Sequence, residues 1–294
     1  MQLLPRISQI PNATTGWLLT LAFAFTVATS YSQEGFEAGG WLGMSHYFGD
    51  LNTNMRIDHP GLAGGLALRY NFNPRIALKL SGNTGTVAAY DADSPNIFER
   101  ARNLHFKSRV ADAALQLEFN FLEYLHGSKD QFWTPYLFLG MGVSYFNPKA
   151  KLDGTWYELR PLGTEGQFKG EEYYTVSGGW VYGMGLKVDL SYEWSINIEL
   201  SSRRLFTDYL DDVSTVYPDP GDVENIRGEF ATRFIDRSPE LYAKDPEFFM
   251  VNQIEYPIGE PGRQRGNSKT RDTYVYFSVG FFYYFGDIKC PYGR

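Results

Sequence analysis

The chain has 294 residues, of which 43% are hydrophobic and 17% aromatic, and its net charge is -7. No segment after residue 32 is a continuous apolar run long enough for a membrane-spanning helix, which argues against a helical membrane anchor. The negative charge argues against nucleic acid as a partner and against a basic membrane-surface patch.

The N-terminus has the features of a secretory signal peptide. Arg6 precedes an apolar stretch over residues 17–27, and small residues at positions 28, 30 and 32 have a plausible cleavage spacing. We therefore predict a signal peptide over residues 1–32 and a mature chain over residues 33–294. The mature charge becomes -8, because the removed segment contains one arginine and no acid.

Alternating hydrophobicity predicts eight strands. The predicted strands cover residues 36–48, 61–72, 76–86, 104–121, 134–146, 180–192, 194–206 and 273–285. A very short turn at residues 71–75 makes the second and third strands antiparallel neighbours. In the fourth strand, Lys107 and Arg109 fall on the otherwise apolar face. That end of the strand either projects beyond the hydrocarbon or contains a bulge.

The last strand shows the alternation most clearly. One face is wholly apolar or aromatic and comprises Val275, Phe277, Val279, Phe281, Tyr283 and Phe285. The opposite face comprises Tyr274, Tyr276, Ser278, Gly280 and Phe282. A strand of this length crosses a bilayer at a tilt of about 45°, and its first face suits lipid better than water.

An even number of strands suits a closed antiparallel barrel, so the predicted fold is all-β, an eight-stranded antiparallel transmembrane β-barrel. Its interior would hold the charged residues Arg69, Lys79, Asp112, Glu118, Lys187, Asp189, Glu199 and Arg203. A soluble β-sandwich is the alternative, in which these side chains would face water. Eight strands leave an interior just wide enough to be filled by side chains, which disfavours a general diffusion pore.

The connections between predicted strands alternate in length. The long ones cover about residues 49–60, 90–103, 147–179 and 207–272, and the short ones cover residues 71–75, 122–133 and 191–193. Outer-membrane barrels have long loops outside the cell and short turns in the periplasm. We therefore predict an outer-membrane location with long extracellular loops and with both termini in the periplasm.

Two long loops contain candidate binding segments. Residues 156–167 fit a structured turn or a binding loop. Asp208, Asp211 and Asp212 could bind Ca²⁺, but their spacing is not that of an EF-hand. A solvated strand end whose acids pair with Arg203 and Arg204 is the favoured interpretation. Within the fourth long loop, residues 238–241 predict a short helix with serine at the N-cap and proline at N1.

Enzymatic and metal chemistry find little support in the sequence. His105 and Ser108 would point to opposite faces of a strand, so they cannot cooperate simply with Asp112. The four histidines, His46, His59, His105 and His126, are dispersed without metal-ligand spacing. We predict no enzymatic activity, no metal and no cofactor. The single cysteine, Cys290, permits no intramolecular disulfide and is either an inert thiol or bonded to a partner.

Several motifs occur together in one order along the chain. They are Tyr47-Phe48-Gly49-Asp50-Leu51, Arg102-Asn103-Leu104-His105-Phe106-Lys107-Ser108, Thr134-Pro135-Tyr136, Pro161-Leu162-Gly163-Thr164-Glu165-Gly166-Gln167, Thr207-Asp208-Tyr209-Leu210-Asp211-Asp212-Val213-Ser214 and Lys289-Cys290-Pro291. Together they resemble the PorG family, small outer-membrane proteins of the type IX secretion system in Bacteroidota. The resemblance spans essentially the whole mature chain.

The resemblance implies an eight-stranded barrel associated with the periplasmic ring of the secretion and gliding machinery. The lipoprotein PorK and its partner PorN build that ring. On this hypothesis the periplasmic turns and the tail with Lys289, Cys290 and Pro291 bind the ring, and Cys290 is a candidate for an intermolecular disulfide. The alternative is a stand-alone barrel that acts as a stabiliser or binds an extracellular ligand through its long loops.

Overall fold

The computed structural model describes residues 34–287, which form nine β-strands and several short helices. The strands are β1 Gly35–Phe48, β2 Gly61–Asn73, β3 Ile76–Tyr90, β4 His105–Asn120, β5 Trp133–Leu152, β6 Thr155–Glu158, β7 Val176–Asp189, β8 Trp194–Leu205 and β9 Thr273–Tyr284. The predicted signal peptide and the tail residues Lys289, Cys290 and Pro291 lie outside the described residues.

Eight long antiparallel strands form one closed sheet. The order is β4-β3-β2-β1-β9-β8-β7-β5, and the pairing of β5 with β4 completes the circle. The first and last long strands are neighbours, with Glu37 opposite Tyr284 and Phe48 opposite Thr273. Strand β6 adds a short hairpin to the far end of β5. The predicted all-β, eight-stranded antiparallel barrel is confirmed.

The two faces of the barrel wall differ sharply in polarity. Along β9 every second side chain is buried, beginning with Tyr274, and the intervening ones face outward. The outward set around the barrel is large and apolar; Leu42 is 78% exposed and Leu62 is 85% exposed. Since these side chains face away from the sheet's own interior, the sandwich alternative is wrong. The outward band matches the lipid-facing surface of a transmembrane barrel.

Strands β3 and β5 continue past their predicted ends. Strands β3 and β5 extend to Tyr90 and Leu152, and β4 pairs with both. The pairing is continuous through Lys107 and Arg109, so the predicted bulge is absent and that interpretation is wrong. This end of the sheet projects instead, because the backbone hydrogen-bond ladder continues after the apolar pattern has ended.

The long loops contain the helices α1 Ile97–Arg102, α2 Pro220–Arg227, α3 Glu229–Thr232, α4 Ser238–Lys244 and α5 Pro246–Val251. Within residues 34–287, none of the helices has the length and apolar character needed to span a membrane. Helix α4 confirms the predicted helix, but its N-cap is Arg237 and no side chain caps it. The Ser238 hydroxyl instead donates a hydrogen bond to Asp236 (2.9 Å).

The described chain begins and ends at the same end of the barrel. The short connections, residues 74–75, 121–132 and 190–193, also lie at this end, which we call the short-turn end. The connections at the opposite end are residues 49–60, 91–104, 153–175 with β6, and 206–272. The Tyr284 hydroxyl donates to the Glu34 carbonyl oxygen (3.0 Å), which joins the two ends of the described chain.

Candidate functional site

An ion-pair network crosses the interior of the barrel. The Arg69 guanidinium lies between two carboxylates, with Nη1 2.6 Å from Glu37 and Nε 2.8 Å from Glu118. Lys187 Nζ approaches Glu118 to 2.6 Å from the opposite wall, and Lys79 Nζ lies 3.3 Å from the same carboxylate. These residues come from five strands, β1, β2, β3, β4 and β7, so their side chains connect opposite walls across the lumen.

A second part of the interior is centred on Asp112. Its carboxylate accepts hydrogen bonds from the hydroxyls of Tyr274 and Tyr276 (both 3.1 Å) and from the Asn83 amide (2.8 Å). The Arg203 guanidinium lies 3.4 Å from the same carboxylate. A polar centre of this kind is stable inside a barrel because nearly every donor has an acceptor across the lumen.

The predicted interior residues all face the lumen. Lys79 also pairs with Glu199, and Asp189 lies near the short-turn end, where it accepts from the Tyr124 hydroxyl. His126 lies beside both Asp189 (3.0 Å) and Glu37 (3.2 Å), and its ring stacks on Tyr284. A residual cavity between Lys79, Asn83, Glu199 and Arg203 has a volume of about 20 Å³, room for about one water molecule.

At the opposite end, the long loops fold together over the barrel mouth into a structure that we call the loop cap. It comprises residues 49–60, 91–104, 153–175 and 206–272. One apolar cluster beneath it contains Leu51, Phe106, Phe146, Leu210, Val213 and Phe234. A second contains Ala101, Tyr217, Val223, Ala231, Ile235, Phe249 and Ile258. Because the loops have their own buried apolar clusters, the cap is an ordered part of the fold.

Arg265 is the centre of the cap. Its Nη1 lies 3.0 Å from Glu165, and its Nη2 lies 3.7 Å from Asp212. Asp212 also accepts from the hydroxyls of Tyr173 (2.7 Å) and Thr164. All of these charged groups are almost fully buried. The two loop motifs at residues 161–167 and 207–214 are therefore joined through Arg265, which no sequence pattern had singled out.

The motif at residues 161–167 is a structured turn. Glu165 accepts hydrogen bonds from the backbone of Ser214 (2.8 Å) and from the Thr215 hydroxyl (2.7 Å). Gly163 and Gly166 have φ values of +58° and +82°, a left-handed conformation that glycine adopts without strain. The other members, Pro161, Leu162, Thr164 and Gln167, lie along the same turn.

Arg102 connects the remaining loops. It forms an ion pair with Asp91 (2.7 Å) and donates to the carbonyl oxygens of Asp50 (2.9 Å) and Arg265 (2.5 Å). Its partners come from the first, second and fourth long loops. With the Glu165–Arg265 pair, buried arginines therefore join all four long loops.

The acids at the exit of β8 are not solvated, which corrects the favoured interpretation. Asp208, Asp211 and Asp212 are only 3%, 1% and 1% exposed. The expected partners lie elsewhere, because Arg203 faces the lumen and Arg204 lies on the outer surface. The long fourth loop folds back over these acids and buries them. The hydrophilic character of the segment did not indicate this burial. Tyr209 stacks on Tyr173 in the same layer.

Burial changes the protonation of this acidic layer. Desolvation and the nearby Asp50 charge raise the pKa of Asp208 to about 7. Desolvation raises the pKa of Asp212 to about 6, although Arg265 opposes the shift. The Tyr47 hydroxyl lies between Asp211 (2.5 Å) and Asp272 (3.0 Å), and burial raises the pKa of both carboxyls.

Candidate metal and catalytic residues were also located. Within residues 34–287, Asp58, His59 and Asp93 form a group whose ligand atoms lie within 4.8 Å of one another. Sequence spacing did not reveal it, because the residues come from two loops. His105 faces outward, where its Nε2 accepts from the Lys151 backbone (3.0 Å), whereas Ser108 is buried on the inner face. The two side chains therefore lie on opposite faces, as the alternation predicts.

Comparison with solved structures returned several small outer-membrane proteins. The crystal structure of Neisserial surface protein A (NspA) is similar with a TM-score of 0.40 and 8% identity, covering 85% of this chain and 97% of that chain. The outer membrane protein OprG from Pseudomonas aeruginosa has a TM-score of 0.39 and 12% identity, with coverages of 88% and 99%. The attachment invasion locus protein Ail of Yersinia pestis, in complex with sucrose octasulfate, has a TM-score of 0.38 and 10% identity, with coverages of 87% and 100%.

No curated protein matches the chain. One family does match, and it covers most of the barrel and about the first third of the fourth long loop. Its description is "Domain of unknown function (DUF6089)", and it matches residues 17–229. The chain belongs to this family.

Proposed function

We propose that the protein is a non-enzymatic outer-membrane component of the type IX secretion and gliding machinery. In this role it holds a periplasmic ring, built from a PorK-like lipoprotein and a PorN-like protein, at the membrane. The proposal combines the motif resemblance with a barrel whose outer band is apolar. It places the short-turn end and both termini in the periplasm and the loop cap outside the cell.

The filled interior is the observation that favours an anchor over a conduit. Arg69, Glu118 and Lys187 connect opposite walls through contacts of 2.6–2.8 Å. Opening this network for a solute would separate buried charges from their partners, at a cost of about 3–5 kcal/mol for each broken pair. A barrel of this kind supplies a fixed membrane position and two faces, one on each side of the membrane.

The short-turn end offers the surface for the ring. Its longest turn carries the exposed charges Glu123, Lys129 and Asp130, and Arg75 lies beside it. Strand β9 ends at the short-turn end, and Lys289, Cys290 and Pro291 follow it by a few residues in the sequence. We propose that these turns and the tail bind the ring lipoprotein.

Affinity purification of the full-length protein from native outer membranes tests the ring attachment. We expect the ring lipoprotein and its partner to copurify, and we expect deletion of the gene to reduce export of secreted substrates. A variant with Glu123→Lys and Asp130→Lys should copurify with smaller amounts of the ring components. The control variant Glu247→Lys, on the loop cap, should copurify with normal amounts. Absence of ring components in every preparation, together with intact secretion in the deletion strain, would exclude this function.

Cys290 provides a second test of the same contact. If its thiol is bonded to a ring component, non-reducing electrophoresis of outer membranes will show a larger band that collapses on reduction. Cys290→Ser should abolish that band without changing the amount of folded barrel. A single monomer band under both conditions would remove the disulfide but not the ring attachment, which the copurification measures separately.

A stand-alone barrel that binds a ligand outside the cell is the second candidate. The loop cap favours it, because Tyr174 is 84% exposed and Val251 is 71% exposed on an ordered surface. Large exposed aromatic and apolar side chains often mark interaction sites. In that case Tyr174→Ala and Val251→Asp should weaken binding to cell-surface material. The amount of ring components that copurifies should be the same for these variants as for the wild-type protein.

A further inference from the structure

Four basic side chains form an outward-facing group beside the loop cap, which we call the basic rim. Lys107 and Arg109 lie on β4, and Lys149 and Lys151 lie on β5. Lys107 is directly opposite Lys149, and Arg109 is opposite Asn147. All four point away from the lumen, because the neighbouring residues in each strand are the buried ones.

The rim lies where the apolar band ends. Below Arg109, the outward residues of β4 are Ala111, Ala113, Leu115, Leu117 and Phe119. The ten residue-to-residue steps from Phe119 to Arg109 rise about 33 Å along the strand, at about 3.3 Å per step. At a tilt of about 40° this is about 25 Å across the membrane, the height of the apolar band in outer-membrane barrels. Arg109 therefore lies at the hydrocarbon boundary, and the lysines lie in the headgroup layer.

The charges of the rim are largely uncompensated. Two lysines directly opposite each other on neighbouring strands repel. Glu158 on β6 forms an ion pair with Lys149 (3.0 Å), and the Trp156 ring lies 5.9 Å from Lys107 Nζ. Among the described residues, no carboxylate lies within ion-pair distance of Lys107, Arg109 or Lys151. The rim therefore keeps three cationic side chains without an acidic partner.

The surroundings of the rim favour a lipid headgroup over bulk water. Trp156 on the hairpin and Tyr145 on β5 are partly exposed beside it, and aromatic residues of this kind occur where a protein meets the membrane interface. On another part of the barrel, Arg204 is likewise exposed and lies opposite Trp180. Basic and aromatic side chains thus share one level, directly above the apolar band.

We propose that the basic rim binds the phosphate groups of a phosphorylated lipid in the leaflet that surrounds the loop cap. In an outer membrane the lipid with this chemistry is lipid A. Two guanidinium or ammonium groups on neighbouring strands lie close enough to share one phosphate, as arginine and lysine commonly do. The proposal requires the barrel to span a membrane with its loop cap outward, but it does not require attachment to a ring.

Lipid retention by the purified full-length protein tests the proposal. The probes are lipid A with both phosphates, dephosphorylated lipid A and inorganic phosphate, each added to the barrel in neutral detergent micelles. The rim variant carries Lys107→Gln, Arg109→Gln and Lys149→Gln. The control variant carries Lys169→Gln, Lys244→Gln and Lys269→Gln, which remove the same charge from exposed sites outside the rim.

We expect the wild-type and control proteins to bind phosphorylated lipid A, and we expect the rim variant to bind it about 10- to 100-fold more weakly. Each basic side chain contributes about fivefold to binding an anionic surface, so full loss of all three contributions corresponds to about 100-fold, and partial loss to less. Dephosphorylated lipid A and inorganic phosphate should bind weakly to all three proteins. Affinity for phosphorylated lipid A should fall as salt rises.

Equal lipid A affinity in the rim and control variants would overturn the proposal, as would equal affinity for the dephosphorylated lipid. Tight binding of inorganic phosphate alone would also overturn it, because the ligand would then be a free anion. The heat-dependent shift of a folded barrel in electrophoresis reports folding of each variant. If the triple variant fails to fold, Arg109→Lys and Arg109→Gln replace it, and only the glutamine variant should lose affinity.

Discussion

At the scale of single residues, buried arginines hold the loops together. Arg265 contacts Glu165 and Asp212, which lie 100 and 53 residues away in the chain. All three charges are buried, so each depends on the others for compensation. Nothing local distinguishes Arg265 from its neighbour Arg263, and only the folded loops reveal its contacts.

Replacing Arg265 tests its role in the loop cap. Arg265→Met leaves Glu165 and Asp212 buried without their cation, so we expect the cap to lose about 3–5 kcal/mol of stability. Limited proteolysis of the detergent-solubilised barrel should cleave the fourth long loop much faster, while the barrel itself remains folded.

Arg233→Met is the matched control for that experiment. Arg233 lies in the same loop and pairs with Asp153 (2.9 Å), but both side chains are substantially exposed. Exposed ion pairs contribute about 0–1 kcal/mol, so cleavage should change little. Equal cleavage of the two variants would contradict a central role for Arg265.

At the scale of elements, strands β4 and β5 have two different parts. Their lower parts carry the apolar outward face, and their upper parts carry Lys107, Arg109 and Lys149 on the same side. The change in polarity within one strand marks a membrane boundary rather than a broken strand. The net charge of -7 argued against a basic membrane-surface patch, but a net charge averages over the chain and cannot show a local basic cluster.

The segment that leaves β8 should respond to pH. Burial and the Asp50 charge raise the pKa of Asp208 to about 7, and burial raises that of Asp212 to about 6. A carboxyl with a raised pKa in the folded state stabilises that state at low pH, and this contribution is lost as pH rises through the raised value. We therefore expect residues 207–214 to open more readily as the pH rises from about 4 to 7.

Hydrogen exchange of residues 207–214, corrected for its intrinsic pH dependence, measures this effect. Protection should fall as the pH rises through that window, and Asp208→Asn should remove part of the fall because its amide cannot ionise. Asp130→Asn, an exposed acid at the short-turn end, should leave the profile unchanged. Protection that increases with pH would show that the Arg265 charge dominates over desolvation.

At the scale of the whole molecule, the polarity of the barrel is inverted relative to a soluble protein. Charged side chains such as Arg69 and Glu118 lie inside, and leucines such as Leu42 lie outside. The ion pairs inside compensate one another, whereas the outer leucines are compensated only by lipid. The stability of this fold therefore depends on its solvent as much as on its internal contacts.

A charge on the outer face tests the position of the barrel in a membrane. Leu42 lies midway along β1, opposite Gly64 and Val279. We expect Leu42→Arg to lower the free energy of unfolding in lipid vesicles by about 2–4 kcal/mol, because the arginine would lie near the bilayer midplane. Urea unfolding in vesicles, monitored by tryptophan fluorescence, measures this change in the free energy of unfolding.

Ile57→Arg is the control for the same measurement. Ile57 is 72% exposed, similar to Leu42, but it lies in the first long loop. An arginine there remains in water, so its effect should stay within about 0.5 kcal/mol. If both variants were equally stable, the apolar band would not lie in hydrocarbon.

The pattern of apolar and polar residues was enough to predict the eight long strands, their inward and outward faces and the alternation of short and long connections. Tyr274 and Phe277 could be assigned to opposite faces because side-chain direction along a strand has a period of two, which neighbouring residues alone establish. The interior position of Arg69 and Glu118 followed from the same rule. The ends of β3 and β5 could not be predicted from this rule, because backbone hydrogen bonding continues beyond the residues where the apolar pattern stops.

The arrangement of the loop cap could be seen only in the folded structure. It buried Asp208, Asp211 and Asp212, which had been expected in solvent, and it brought Arg265 and Arg102 to partners in distant loops. It also placed Lys107 opposite Lys149. Such contacts depend on how loops of unequal length fold back over a closed barrel. No periodicity encodes them, because the partners are far apart in the chain and meet only after the strands have closed.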